Sequence, residues 1–213
     1  MAELEDGAGG PVRPKPFALE ELDRRARRYA WLERRRFEVL GGWTATVPEP
    51  EVKAMVATHA HHHAWHASLW DRHRPHRSGH DATAGGAPVG DALVACIDAV
   101  AGPPGDGATI ERLVGAYRVV APYAAAAYGA DLDRASSISD APLVRSCRLV
   151  LADQLDDWRE GERALQALLA TDAAIDRAAA CQGRLEKLLL AAGGVGGNAV
   201  GRAEGAPFQA PLR

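Results

Sequence analysis

Apolar residues recur along most of this chain at steps of three and four, the spacing that lines one face of an α-helix. The first such stripe, Leu22, Ala26, Tyr29, Ala30, Phe37 and Leu40, predicts a helix over 17–40, closed by the Gly41-Gly42 pair as a C-cap. A second helix is expected from near Thr46 to Arg74. Thr46-x-x-Glu49 has the form of a capping box, Pro48 falls in the first turn, and Pro75 follows the end. After a loop over 75–88, a shorter helix at 89–100 should stop at Gly102-Pro103-Pro104. The stripe Ile110, Leu113, Val114, Tyr117, Val120, Ala124 and Tyr128 predicts a helix over 109–135 that Pro122 should bend. The next begins at Ser139 or Asp140 as N-cap, with Pro142 in its first turn. It carries Val144, Cys147, Leu151, Leu155, Trp158, Leu165 and Leu169. The last, 172–191, shows Ile175, Ala179, Leu185 and Leu188. No segment alternates apolar and polar residues as a strand would. The expected fold class is therefore all-α: a bundle of four long helices with one or two additional short ones. One helical domain over 17–192 would lie between flexible tails at 1–16 and 193–213, both rich in glycine and proline.

The bulk chemistry narrows the partners. At 213 residues the length suits one domain. The balance of 25 Lys plus Arg against 28 Asp plus Glu gives no push toward nucleic acid or an anionic membrane. No apolar run reaches the length of a bilayer span, and the N-terminus lacks a signal-like apolar region. Cys96, Cys147 and Cys181 are scattered and odd in number, which reads as buried reduced thiols and a cytoplasmic setting. Walker, Rossmann, C-x-x-C and G-x-S-x-G patterns are absent, so no nucleotide cofactor is expected; the Gly193–Gly197 stretch precedes no helix or strand. The first helix carries Arg24, Arg25, Arg27, Arg28, Arg34, Arg35 and Arg36, expected to be a solvated face or a surface for a protein partner. Ala-rich helices of this kind can pair, which allows a homodimer without fixing the number of subunits.

The histidines change this picture. All eight lie between residues 59 and 80. The inward stripe of the second helix runs Met55, Val56, His59, His62, His63, His66, Leu69, Trp70 and His73, so four imidazoles interrupt its middle. His61 falls off the stripe, and His76 and His80 belong to the loop. Imidazoles three or four residues apart project side by side, the placement a metal needs from two ligands on one helix. Each buried ring needs a hydrogen bond or a metal, so a hydrogen-bonded polar layer is the competing account. Glu33 interrupts the buried stripe of the first helix in the same way, paired either with a metal or with an arginine. Asp153, Asp157 and Glu160 lie at steps of four and three beside the apolar stripe of the fourth long helix, either facing inward or forming a solvated acidic face. The candidate metal ligands are thus Glu33, His59, His62, His63, His66, Asp153 and Asp157. Iron ranks first among the metals, with manganese or zinc as alternatives.

Four helices, an inward Glu on the first, and paired ligand types on the second and fourth together resemble the ferritin-like superfamily. The resemblance covers about residues 17–170. It implies two helical pairs, each with a Glu on its first helix and an E-x-x-H motif on its second, around two iron or manganese ions. Glu33 followed by His63-x-x-His66 has the spacing of the first half. Here, however, His59-x-x-His62 and His63-x-x-His66 carry His where that motif has Glu. Asp153-x-x-Asp156 contains no His, and Tyr117 and Val120 stand near where the third helix would have its Glu. A His-rich set of this kind suits one ion, or zinc, better than a two-iron cluster. Three functional classes compete: a non-haem metal-dependent oxidoreductase, a non-catalytic bundle that binds a partner or a metal, and a three-His metal-dependent hydrolase or transferase.

Overall fold

A computed structural model describes residues 16–74, 89–102 and 108–196. The described residues are helical with no strand, as the periodicity predicts. Most of both expected tails lies outside them, as do the loop over 75–88 and, with it, His76 and His80.

Helix α1, Leu19–Trp43, opens with Glu20 and Glu21, whose charges suit a helix N-terminus. It does not stop at the glycine pair. Gly41 and Gly42 keep helical backbone, and the end comes at Thr44, whose hydroxyl donates to the Gly41 carbonyl at 2.6 Å. Helix α2, Pro50–Asp71, starts on a proline that needs no hydrogen-bond partner there. The expected capping box is not formed. The Thr46 hydroxyl accepts from Arg112 at 2.9 Å, and the Glu49 carboxylate accepts from the Thr109 hydroxyl at 2.8 Å. Those two residues instead tie the α1–α2 corner to the start of the third long helix.

Helix α3, Asp91–Ala101, ends at Gly102, whose φ of 69° is a conformation that a side chain would oppose. The third long helix runs as α4, Thr109–Leu113, a π-helical segment, Val114–Val120, and α5, Ala121–Arg134. Pro122 lacks an N–H and its ring crowds the carbonyl four residues back, and the wide turn ahead of it relieves both. The expected bend is thus taken up as a π segment, in which Ala121 N–H bonds the carbonyl of Ala116. Helix α6, Ala141–Leu168, follows Asp140 and carries a proline in its first turn. Helix α7, Asp172–Ala191, is capped by the Thr171 hydroxyl on Ala174 N–H at 3.2 Å.

α1 lies along α2, α5 lies along α6, and α2 meets α6, while α3 and α7 pack on each other and on the π segment. The core is filled by Tyr29, Leu32, Trp70, Leu113, Tyr117, Tyr128, Leu165 and Leu185. Two inward stripes are displaced from the expected positions. In α7 the buried residues are Ala174, Ala178, Cys181, Leu185 and Leu189, whereas Ile175 and Leu188 are exposed. In α6 they are Leu143, Val144, Ser146, Cys147, Val150, Gln154, Asp157, Gly161 and Leu165, so Val144, Cys147 and Leu165 are inward as expected, whereas Leu151, Leu155 and Trp158 are only partly covered. Phe37 is also exposed. Past the expected boundary at 192, Val195 is buried, and Arg28 donates to the carbonyls of Gly194 and Val195.

The arginines of α1 are largely spent inside the chain. Arg25 pairs with Asp131 and Glu21, Arg34 with Asp71, Arg35 with Glu38 and Asp98, and Arg36 is buried beside Gln154. All three cysteines are free and buried, and burial pushes the Cys96 thiol up to about 11 and the Cys147 thiol up to about 12. No described helix is long and apolar enough to cross a membrane.

Candidate metal centre

The four long helices converge on Glu33. Its position among Tyr29, Ala30 and Leu32 on the buried face of α1 puts the carboxylate in the core with no exposure. Tyr128 of α5 donates its hydroxyl to Oε1 at 2.7 Å, and Gln154 of α6 donates its amide to Oε1 at 3.2 Å and Oε2 at 3.4 Å. The Arg36 guanidinium, one turn along α1, stands 3.7 Å from Oε1 and is itself held by Gln154 Oε1 at 2.6 Å. On the other edge, Oε2 meets His63 Nδ1 at 2.7 Å and His66 Nδ1 at 3.4 Å, both from α2. The carboxylate therefore has a donor-saturated edge and an imidazole edge.

Proton placement follows from these contacts. Burial opposes the charge on Glu33, but His63, His66 and Arg36 more than offset it and hold the carboxyl well below the usual range. An ionised carboxylate only accepts, so His63 donates through Nδ1–H and its Nε2 carries a lone pair. That Nε2 is buried with no partner. Burial, helped by the charge on Arg36, pushes His63 down to about 3, so the ring is neutral. His66 Nε2 lies 2.9 Å from Asp153, which leaves Nδ1 as the atom facing Glu33 Oε2. It too is buried without a hydrogen bond. Burial works against charge on His66, yet Glu33 and Asp153 outweigh it and raise its proton affinity.

His63 Nε2 and His66 Nδ1 are buried without partners, a cost that a cation removes, and His66 Nδ1 stands 3.4 Å from Glu33 Oε2. One ligand atom from each of Glu33, His63 and His66 lies within 4.8 Å of the other two, which is compatible with one ion. A metal at His66 Nδ1 would occupy the position a proton takes in its absence, so binding would release protons.

No protein-family model, curated protein or solved structure matches this chain.

The other predicted site residues divide between two places. Asp153 sits at the partly exposed rim, orienting His66. His59, His62 and Asp157 form a separate layer one turn along α2 and α6. His59 Nδ1 lies 2.7 Å from the Tyr117 hydroxyl, its Nε2 lies 3.1 Å from Glu160 and 3.4 Å from Asp157, and His62 Nδ1 lies 2.9 Å from Asp157. Burial lowers the proton affinity of His59 despite both carboxylates. His61 is exposed, and His73 meets the Ser146 hydroxyl at 2.7 Å. Gln154, like Arg36, is a residue of the centre that the sequence pattern did not single out. Its clue is the run Val150, Gln154, Asp157, Gly161 and Leu165, spaced by three and four but not apolar.

The buried histidines predict a defined acid response. His63 sits at about 3 in the fold against about 6.5 in an unfolded chain. Between those values the unfolded state binds a proton that the native state refuses. Its contribution is complete above about pH 6.5 and is lost as pH falls, by about 1.4 kcal/mol per pH unit. Glu33, held low, has the same sign in more acid solution. His66, held high, has the opposite sign and loses its contribution as pH rises through its raised value. Urea unfolding of the metal-free protein should therefore show stability dropping from pH 6.5 to 4.5, with a shallower slope in His63→Gln. Equal slopes would mean that His63 takes up a proton equally well folded and unfolded.

Proposed function

We propose that this chain is a ferritin-like metal-binding bundle in which Glu33, His63 and His66 hold one divalent ion, and that it works as a non-haem iron oxidoreductase. The observation that carries the reading is the buried cluster of Glu33, His63 and His66, one ligand atom of each within 4.8 Å of the other two, with His66 Nδ1 unpartnered 3.4 Å from Glu33 Oε2. Two imidazoles and one carboxylate are the donor set of mononuclear non-haem iron sites, which supply redox chemistry toward dioxygen. One ion is favoured over two because Tyr128, Gln154 and Arg36 occupy the Oε1 edge, and the guanidinium stands near where a second cation would bring like charge. Asp153 fixes the His66 ring through its far nitrogen, the outer support that metal-bound imidazoles commonly have. Because Glu33, His63 and His66 have no solvent exposure, the co-reactant must be as small as dioxygen or reach the centre by local opening.

The same burial favours a second reading, a metal-holding module without turnover. Both are tested by growing cells in iron-, manganese- and zinc-supplemented medium and measuring metal per chain by plasma mass spectrometry, followed by oxygen consumption of the iron form. About one iron per chain in the wild type, lost in Glu33→Ala and in His63→Ala, with oxygen uptake, is expected. Iron bound without uptake would leave the holding module. Zinc lost with His63 and His66 but retained without Glu33 would point to the three-His hydrolase or transferase. Absence of metal from every sample would sink the metal reading.

A further inference from the structure

We propose that the outer face of α7 is a self-complementary surface on which the α7 helix of a second copy of this chain packs antiparallel. This surface shares no residue with the metal centre.

Helix α7 touches the bundle along one line, Ala174, Ala178, Cys181, Leu185 and Leu189. Two large apolar side chains stand on the part left open: Ile175 is 48% exposed and Leu190 is 60% exposed. With Ala179 and Gly183 they fall on one side of the helix, at spacings of four and seven residues. A lone exposed leucine needs no explanation, but a strip of this kind along a whole helix has a use.

Two charges border the strip. Asp176 and Lys187 are exposed, and neither has an ion pair among the described residues. Their charged and polar neighbours are engaged within the chain: Arg177 with Glu111 at 3.6 Å, Glu186 with the Gln182 amide at 3.0 Å, and Arg184 with Cys181 Sγ at 3.7 Å.

The order of these groups selects a second copy over an unlike protein. In a two-fold pair, if one residue meets another, the reciprocal contact is made as well. The midpoint between Ile175 and Leu190 falls between Gln182 and Gly183, and that between Asp176 and Lys187 falls between Cys181 and Gln182. One two-fold axis crossing α7 there sets Ile175 against Leu190 twice and Asp176 against Lys187 twice. A parallel, in-register pair would instead oppose Asp176 to Asp176 and Lys187 to Lys187, which like charges disfavour. Gly183 stands beside the axis. Glycine inside a helix is less favourable than alanine, yet a Cβ here would meet no other part of the described chain within 4 Å. Close approach of a second backbone gives that glycine a purpose.

The test is sedimentation of the full-length protein over a range of concentrations. One helix per copy makes a small interface, so the wild type should form a dimer that dissociates on dilution through the micromolar range. Leu190→Glu, Asp176→Lys and Lys187→Asp should each weaken it by about tenfold or more. Their melting temperatures should match the wild type, because all three positions are exposed. Asp176→Lys combined with Lys187→Asp exchanges the charges and should restore dimerisation to within about threefold of the wild type. Gly183→Cys should give a disulfide-linked dimer on mild oxidation, and Ile175→Cys, far from the axis, should not. A wild type that stays monomeric at every concentration overturns the proposal. If Leu190→Glu also melts lower in that monomer, the strip belongs to another segment of the same chain. A dimer unchanged in Leu190→Glu overturns it too, by placing the contact on another face. A dimer that the charge exchange fails to restore, with Ile175→Cys linking as readily as Gly183→Cys, overturns the antiparallel pairing.

Discussion

Replacing Glu33 with alanine should destabilise the metal-free protein by about 3–5 kcal/mol, the range found when one partner of a buried charge pair is removed. The reason lies in what remains behind. Arg36 is buried, and without Glu33 its guanidinium keeps only the Gln154 carbonyl oxygen as a partner among the described residues. The Tyr128 hydroxyl, the Gln154 amide and His63 Nδ1–H all lose the carboxylate that they bond. Any one of these losses has a typical size of about 1–3 kcal/mol, so the total is limited by how far the site can collapse or admit water. Removing charge from both partners separates the terms. Glu33→Leu combined with Arg36→Met leaves no uncompensated ion, and it should recover much of the loss. Urea unfolding with chelator present, across the two single variants and the double, measures the coupling. A Glu33→Ala cost under about 1 kcal/mol would mean that the carboxylate and guanidinium are not the charged pair that their 3.7 Å separation indicates.

That network also marks where sequence periodicity stops being informative. Apolar spacing located every long helix to within a few residues, because burying an apolar stripe is what makes each helix stable. It identified Glu33, His59, His63 and His66 as inward by the same logic, since each takes a place on a stripe whose other members are apolar. The logic failed on α6. Leu151, Leu155 and Trp158 draw the stripe toward themselves, yet the buried line passes through Gln154 and Asp157. These residues are tolerated inside because Glu33, Arg36 and His62 supply their partners from α1 and α2, and nothing within α6 announces partners on another helix. Arg36 illustrates the same limit in reverse. Within a run of arginines it looks solvated, and only its position one turn after Glu33 directs it inward. The capping box failed for a related reason, since Thr46 and Glu49 found stronger use bonding Arg112 and Thr109 across the bundle. The π segment had a visible cause in Pro122, but proline specifies that the helix must yield, and the surrounding packing decides how.

The second large effect is expected at Gly161. Alanine there should destabilise the fold by about 2–4 kcal/mol, although replacing glycine inside a helix with alanine ordinarily stabilises by about 1 kcal/mol. Contact decides the sign. A Cβ at Gly161 would lie 2.2 Å, 2.3 Å and 2.5 Å from Cγ, Cδ1 and Cδ2 of the Tyr117 ring. Those atoms are the stem of a fully buried side chain on the π segment, so the ring cannot swing into solvent. Overpacking of this kind costs about 1–3 kcal/mol, and displacing the ring also strains the 2.7 Å contact between the Tyr117 hydroxyl and His59, worth about another 1–3 kcal/mol if left unmade. Both terms together exceed the helix-propensity gain. The interaction is local, so it should be non-additive: Gly161→Ala should cost much less in a Tyr117→Leu background, where the ring is absent. Urea midpoints of the four proteins in this cycle give the result. Stabilisation by Gly161→Ala in the otherwise wild-type chain would show that α6 and the π segment part easily, and that Tyr117 does not fix the position of His59.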